Sequence, residues 1–323
     1  MPAVPQLIAF AVLAHQDPEM VRRLAAELSG HPVVVHVDAK VDIGPFERIP
    51  GVRLVQDRVK VNWGGFSVVE ATLRLYRDCL DELGDEPNAA VALLSGSDFP
   101  VRLVEEFEEY VAAAPWSEHI RAVPLLDGNR PLENRIRRRW CFDLVPPKVG
   151  GWRRRRNAVI RRILAWALPR RSMARYKSLT PAVSSQWTLL SRACLEDLLP
   201  TAHDPSYQRL FRRTFAPDEL FFATLVHSSP WAAHTEFGGV ESRGDKETTE
   251  FPNFHYIDPS VAVWLDDSHA AKVAGSGAFF ARKLRSRDLD TFLDAVAEER
   301  SALPGRKALR GIPASGHAVF EDV

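Results

Sequence analysis

Short apolar runs alternate with helical patterns through the first half of this 323-residue chain, and that rhythm restricts the fold more than any other feature. Gln6 to Leu13 reads as a strand. Asp17-Pro18-Glu19 then supplies a cap, a first-turn proline and a first-turn acid for a helix to about Leu28. Pro32 to Val37 is a second strand and Val52 to Val55 a short third. Ser67 to Leu83 is a helix after Gly64-Gly65, and Ala89 to Leu94 is another buried strand. Strands and helices in this alternation predict βα units and an α/β fold with a mainly parallel central sheet flanked by helices. The fourth strand runs into Ser95-Gly96-Ser97-Asp98. Polar side chains are thereby placed at the carboxyl edge of the sheet, where open α/β sheets bind ligands.

Later segments are less regular. Gln186 to Leu190 reads as a strand, Cys194 to Leu199 as a short helix and Asp218 to Val226 as a helix. Gly238 to Thr249 reads as a loop and Asp288 to Glu299 as a C-terminal helix, with a loose tail beyond Pro304. Residues 1–290 are therefore expected to form one catalytic-size domain with an insertion at 135–177, and residues 291–323 the final helix and tail. With 46% hydrophobic residues the chain can bury a large core.

Equal numbers of acids and bases, 42 of each, give no bulk charge that would draw nucleic acid, and no aromatic ladder suggests stacked bases. The charge is unevenly spread, however. From Arg135 to Lys177 there are 15 Lys and Arg against one acid, Asp143, so this stretch carries +14 and the rest of the chain −14. Asn157 to Leu168 within it has Val159, Ile160, Ile163, Leu164 and Ala167 on one side of a helix and Arg161 and Arg162 on another. Three readings fit: a solvated flap over a site, a membrane-surface element spanning 148–177 with Trp152 and Trp166, or a surface for an anionic glycan. Three widely spaced cysteines, Cys79, Cys141 and Cys194, predict reduced thiols. Leu7 to His15 is far shorter than the ~20 residues of a membrane span, so it is read as the first strand.

Residues able to carry chemistry cluster in a few strings. In TFAPDELFFATL (Thr214 to Leu225), Asp218 and Glu219 follow a proline at an expected helix start, where the dipole favours a charged carboxylate. Such an anion can serve as a general base, although the same pattern is an ordinary helix start. In FFARKL (Phe279 to Leu284), Arg282 and Lys283 could neutralise a departing diphosphate or be a solvated pair. LLSGSDFP (Leu93 to Pro100) offers Ser95, Ser97 and Asp98 without a DxD metal sequence, and its residue types also suit a plain turn. His36 and Asp38 in VHVDAK share one side of the second strand and could meet a metal or a base, but no third ligand stands at metal-site spacing. GxSxG, P-loop and GxGxxG motifs are absent, which removes the usual signals for a serine hydrolase, an ATPase or a dinucleotide enzyme.

Taken in order, LAHQDP, VHVDAK, VNWGGFS (Val61 to Ser67), LLSGSDFP, SSQWTLLSR (Ser184 to Arg192), APDELFFATL and FFARKL resemble the core-2/I-branching N-acetylglucosaminyltransferase family, which includes peptide O-xylosyltransferases. The resemblance covers Leu7 to Leu284. It implies a GT-A-type fold and an inverting transfer from a UDP-sugar to a glycan or glycoconjugate hydroxyl, with no metal and no other cofactor. Glu219 matches the family's base, Lys283 a residue on the donor diphosphate and Asp38 one near the uracil end. Donor contacts are thus expected from Asp38, Ser95, Ser97, Asp98, Arg282 and Lys283, and acceptor contacts from Trp63, Glu133, Gln186 and Trp187. His255, in FHYIDP, stands where a second diphosphate arginine is expected, so His255, Arg243, Lys246 or Arg282 must complete the charge. The Golgi-type relatives' membrane anchor and many disulfides have no counterpart here, which fits a bacterial enzyme of the cytoplasm or the inner membrane face. UDP-xylose is the alternative donor, and a silent protein that binds an anionic glycan or membrane surface is the alternative class.

Overall fold

The computed structural model describes residues 7–114, 116–147, 150–242, 253–260 and 263–302. Its first half follows the predicted rhythm: β1 Ile8–Ala14, α1 Pro18–Glu27, β2 Val33–Val37, a single turn α2 Gly44–Glu47, β3 Val52–Leu54, α3 Ser67–Leu83, β4 Ala90–Ser95 and β5 Asp98–Pro100. There follow α4 Val104–Ala113, β6 Ala122–Pro124, α5 Arg130–Arg137 and α6 Trp152–Ala167. Next come β7 Ala182–Ser184, β8 Leu189–Ser191, α7 Arg192–His203, α8 Pro205–Phe211 and α9 Phe221–His227. β9 His255–Ile257, α10 Ala270–Ser276, β10 Phe280–Arg282 and α11 Leu289–Ala302 complete the described chain.

The central sheet has the order β3-β2-β1-β4-β8. Its first four strands are parallel and β8 runs antiparallel to β4. This is the mainly parallel, helix-flanked sheet expected of a GT-A-type domain. Apolar cores cover both faces, so β1 and β4 have no polar face to show water and read as continuous apolar runs. Strand alternation divides β1 between the cores: Ala9 and Ala11 pack with α3, α7 and α9, whereas Ile8, Phe10 and Val12 pack with α1, α4 and α10. The last helix belongs to the same body, because Leu289, Phe292 and Val296 of α11 are buried in the second core.

Local chemistry fixes the element ends. Asp17 adopts a left-handed conformation and accepts the Met20 N–H, capping α1, and it also accepts from the Ser286 N–H and hydroxyl. One side chain thus ties the start of the chain to the segment after β10. A second, three-stranded sheet, β5-β10-β9, sits beyond the carboxyl end of β4, and its register sets Asp98 opposite Arg282. The turn into it needs Gly96, where a Cβ would stand 2.9 Å from Val21 and 3.2 Å from the Ala14 Cβ.

The basic stretch is docked by its only acid. Asp143 accepts the N–H groups of Phe66 and Ser67 and the Ser67 hydroxyl, capping the start of α3. Gly65 allows this approach, since a Cβ there would lie 2.2 Å from Asp143 Oδ1. Arg243, Lys246, most of the 238–249 loop and the tail beyond Pro304 lie outside the described residues. All three cysteines are buried and free.

Candidate active site at the carboxyl edge of the sheet

The chain reaches the carboxyl edge from several directions. β2 leads into Asp38, the segment after β3 carries Trp63 to Gly65, β4 ends at Ser95, and Ala216 donates its N–H to the Gly64 carbonyl at 3.3 Å. That last contact lays the 215–220 segment against the edge. Ala216 has φ 46°, the left-handed region that disfavours a side chain. Such strain persists only where the surroundings impose it, and it often marks a functional turn.

Glu219 does not begin an α-helix. Pro217–Glu219 form a 3-10 turn and α9 starts two residues later, so the two acids are placed by the Ala216 kink and not by an α-helical first turn. Their fates differ. Glu219 keeps a side chain 37% exposed and accepts a 2.6 Å hydrogen bond from Arg135 Nη2 at Oε2. Arg135 also donates to the carbonyls of Phe215 and Ala216, which clamps the kink itself. Asp218 is half-buried, and its enclosed Oδ1 has no hydrogen-bond partner among the described residues. Burial, reinforced by the adjacent Glu219 charge, raises its pKa to about 7, with Arg135 and Arg282 acting in the opposite direction. The expectation that a helix start would favour both charged carboxylates therefore fails for Asp218, because desolvation outweighs any backbone dipole there.

Arg282, whose charge acts on Asp218, is held by contacts of its own. Its guanidinium sits 3.9 Å over the Trp187 ring and its Nε is 3.2 Å from Asp98 Oδ1, an ion pair not aligned as a hydrogen bond. Burial lowers the Arg282 pKa, while Asp98 and Asp218 both support its charge. Asp98 is saturated: it accepts from the Ser95 N–H at 2.7 Å, from the Ser95 hydroxyl at 2.6 Å and from His255 Nε2 at 3.2 Å. Burial alone would raise the Asp98 pKa, but Arg282, His255 and Ser95 bring it below the ordinary carboxylate value. His255 is pushed down by burial, so the neutral ring donates its proton to Asp98.

These contacts redistribute the sequence assignments. Asp98 and His255 have side chains with no exposed surface, so they have none to offer a donor; they hold Arg282 in place. Of the two, burial keeps His255 neutral, and Asp98 and Asp218 support the positive charge of Arg282. Ser95 and Ser97 are nearly buried, and the Ser97 carbonyl accepts the Leu284 N–H, joining the turn to the end of β10. Lys283 follows Arg282 and is half-buried. Asp38 accepts the N–H groups of Lys40 and Val61, and His36 Nε2 accepts the Val59 N–H, so both brace the 58–62 loop. Burial drives the His36 pKa down to about 4.

Of the acceptor candidates, Trp63 is 55% exposed and packs edge-on against Phe142 and Phe215, one residue before Ala216. Trp187 lies beneath Arg282 and Gln186 beside it is half-buried. Glu133 faces elsewhere: it accepts from Gly128 N and Arg137 Nε. It stands about 200° around α5 from Arg135, two residues at ~100° each, so only one of the two can meet Glu219. Arg135 itself was missed from sequence. The available signal was its place between Leu132 and Ile136 on the buried face of α5.

Among the described residues no group of three or more His, Cys, Asp or Glu side chains could hold a metal. The arrangement offers an accessible carboxylate oriented by Arg135, a cation fixed by Asp98 and Trp187, and the exposed ring of Trp63, which suits transfer of a group from an anionic leaving group to a hydroxyl. A family model described as Core-2/I-Branching enzyme matches residues 8–237, which include Asp38, Asp98, Arg135 and Glu219. A search of curated proteins gave no match.

Proposed function

Since the chain belongs to the core-2/I-branching enzyme family and is a glycosyltransferase, we propose that it moves a sugar, N-acetylglucosamine in the first instance, from a UDP-sugar to a hydroxyl of a glycan or glycoconjugate, with inversion and without a metal ion. The observation that supports this reading is that Arg135 orients the Glu219 carboxylate through a 2.6 Å hydrogen bond, while Glu219 and Arg282 both act on the charge of Asp218 between them in the electrostatics of the fold.

In this mechanism Glu219 Oε1 takes the acceptor proton while Arg135 holds Oε2. The acceptor oxygen forms a bond to the anomeric carbon as the bond from that carbon to the UDP oxygen breaks on the opposite face. The electron pair leaves with UDP, and the developing diphosphate charge is met by Arg282 and Lys283, work that Mg²⁺ does in metal-dependent transferases. Asp38 and the Ser95–Asp98 turn shape the nucleotide end, and Trp63 offers a face for an acceptor sugar. The full engagement of Asp98 with Ser95, His255 and Arg282 supports metal independence, because no carboxylate oxygen of the central motif is left to ligate a cation.

UDP release from UDP-N-acetylglucosamine and from UDP-xylose, each with and without EDTA, tests the proposal. Release with N-acetylglucosamine that persists in EDTA supports it, and preference for xylose would move the chain to the alternative donor. Silence with every UDP-sugar would overturn it in favour of a binding protein, and strict Mn²⁺ dependence would overturn the metal-free mechanism.

A further inference from the structure

α6 turns a strip of apolar side chains outward, while its inner face carries buried Asn157 and Ala165 with Ile160, Arg161 and Leu164 half-buried. The inner face is held by Asn157, which donates to the Pro146 carbonyl, and by Arg161, which donates to the Val145 carbonyl and lies over the Phe142 ring. Val159 and Ile163, two of the five residues read from sequence as one apolar side, are 57% and 59% exposed, and Trp152 and Trp166 are 67% and 78% exposed. At ~100° per residue these four fall within an arc of about 60°, with Arg155 and Arg162 along one border and Arg156 along the other. The stripe runs about 21 Å from one tryptophan to the other. A shallow depression lined by Arg162, Ile163, Trp166 and Ala167 lies at its C-terminal end.

The start of the helix is also electrostatically adverse. Four consecutive arginines, Arg153 to Arg156, occupy the positive end of the helix dipole, with no acid in the first turn and no side-chain cap. The one acid of the surrounding stretch, Asp143, is used up at the start of α3. Arg156 donates to Asn157 Oδ1 and lies 4.8 Å over the Trp152 ring, while the exposed apolar stripe and the exposed Arg155 and Arg162 face outward from the fold.

We propose that the outward face of α6 is a membrane-interfacial surface, which lies in the headgroup region of a bilayer rich in anionic phospholipid. Tryptophans at both ends, arginines along both borders and an apolar stripe between them match such a surface in charge and polarity. A second copy of the chain is a poorer occupant, because face-to-face packing sets Arg155, Arg156 and Arg162 against their own equivalents. Among the described residues no helix is long and apolar enough to cross a membrane, so the helix lies along the bilayer. Held there, the active site would work on acceptors close to the lipid surface. The inference stands on α6 alone and does not depend on the donor or on the chemistry of Glu219.

Flotation of the full chain with vesicles provides the test, using phosphatidylcholine alone or with ~30 mol% phosphatidylglycerol. The chain is expected to float with the anionic vesicles, and to float much less as salt rises from ~0.1 M to ~0.5 M. The triple change Arg155→Gln, Arg156→Gln, Arg162→Gln should weaken partition roughly 100-fold, and Ile163→Ser with Trp166→Ser should do so to a similar, roughly 100-fold, extent. Unchanged circular dichroism and melting temperature in both variants would show that the fold persists. If either variant does not fold, quenching of wild-type tryptophan fluorescence by brominated anionic lipid gives the answer instead. Absence of flotation and quenching, or flotation indifferent to both variants, overturns the proposal. A wild-type dimer that Trp166→Ser converts to monomer, without vesicle binding, would assign the face to a second copy.

Discussion

Arg135 crosses 84 residues of sequence to bind Glu219 Oε2 at 2.6 Å, and Oε1 makes no hydrogen bond among the described residues. One oxygen is anchored, and in the proposed mechanism the other takes the acceptor proton. Glu219→Gln keeps the shape and the bond to Arg135 but loses the base, so kcat should fall by ~10²- to 10⁴-fold. UDP affinity should hardly change. Arg135→Met should leave the base but loosen its aim, and misplacement by about 1 Å can cost ~10²-fold in kcat. Steady-state kinetics with UDP titration separates the two roles, and full turnover in Glu219→Gln would remove that residue from the mechanism.

Asp218 should make stability depend on pH. Its pKa rises from the ordinary 3.8 to about 7 because burial penalises its charge, so the folded chain retains a proton that the unfolded chain has already released. The contribution of the protonated Asp218 is therefore fully present below about pH 4 and is lost as pH rises from there through about 7. Asp218→Asn imitates the protonated form and should stabilise the protein by up to about 4 kcal/mol at alkaline pH, with little gain near pH 4. Melting curves across this range check the sign. An equal gain at every pH would mean that the acid is not held neutral.

Donor affinity should respond to the cation side. Trp187→Leu removes the ring 3.9 Å beneath the Arg282 guanidinium and should weaken UDP binding by about 10-fold, the scale of a partly desolvated cation–π contact. Lys283→Ala should also weaken UDP, leaving Glu219-dependent proton transfer intact. Calorimetric titration with UDP reads both, and unaltered affinity in both variants would place the diphosphate elsewhere.

The docking of the basic stretch can be tested by a double-mutant cycle. Gly65→Ala puts a methyl 2.2 Å from Asp143 Oδ1 and should cost about 1–3 kcal/mol. Asp143→Ala loses the cap on α3 and should cost about 1–2 kcal/mol. In the double variant the clash is gone, so denaturant melts should show a total at least about 1 kcal/mol smaller than the sum of the single effects. Strict additivity would show that the two residues do not meet.

Periodicity, caps and turn residues settled most of the first half of the chain before any coordinates. β1, β2, α3 and β4 lie within one or two residues of their predicted limits, and Asp17 caps α1 as expected, because these features depend on neighbours a few residues apart. The ordered strings from LAHQDP to FFARKL likewise pointed to the family that the match over residues 8–237 shows. What tertiary structure alone decided is how chemically similar residues diverge. Adjacent acids became an Asp218 with an enclosed, unpartnered oxygen and a raised pKa, and a Glu219 anchored by Arg135. Asp98 and His255 became the internal support of Arg282, and α6 turned its valine and isoleucine outward. Burial and charge pairing across scores of residues set these outcomes, and neither is written in the local spacing of a sequence.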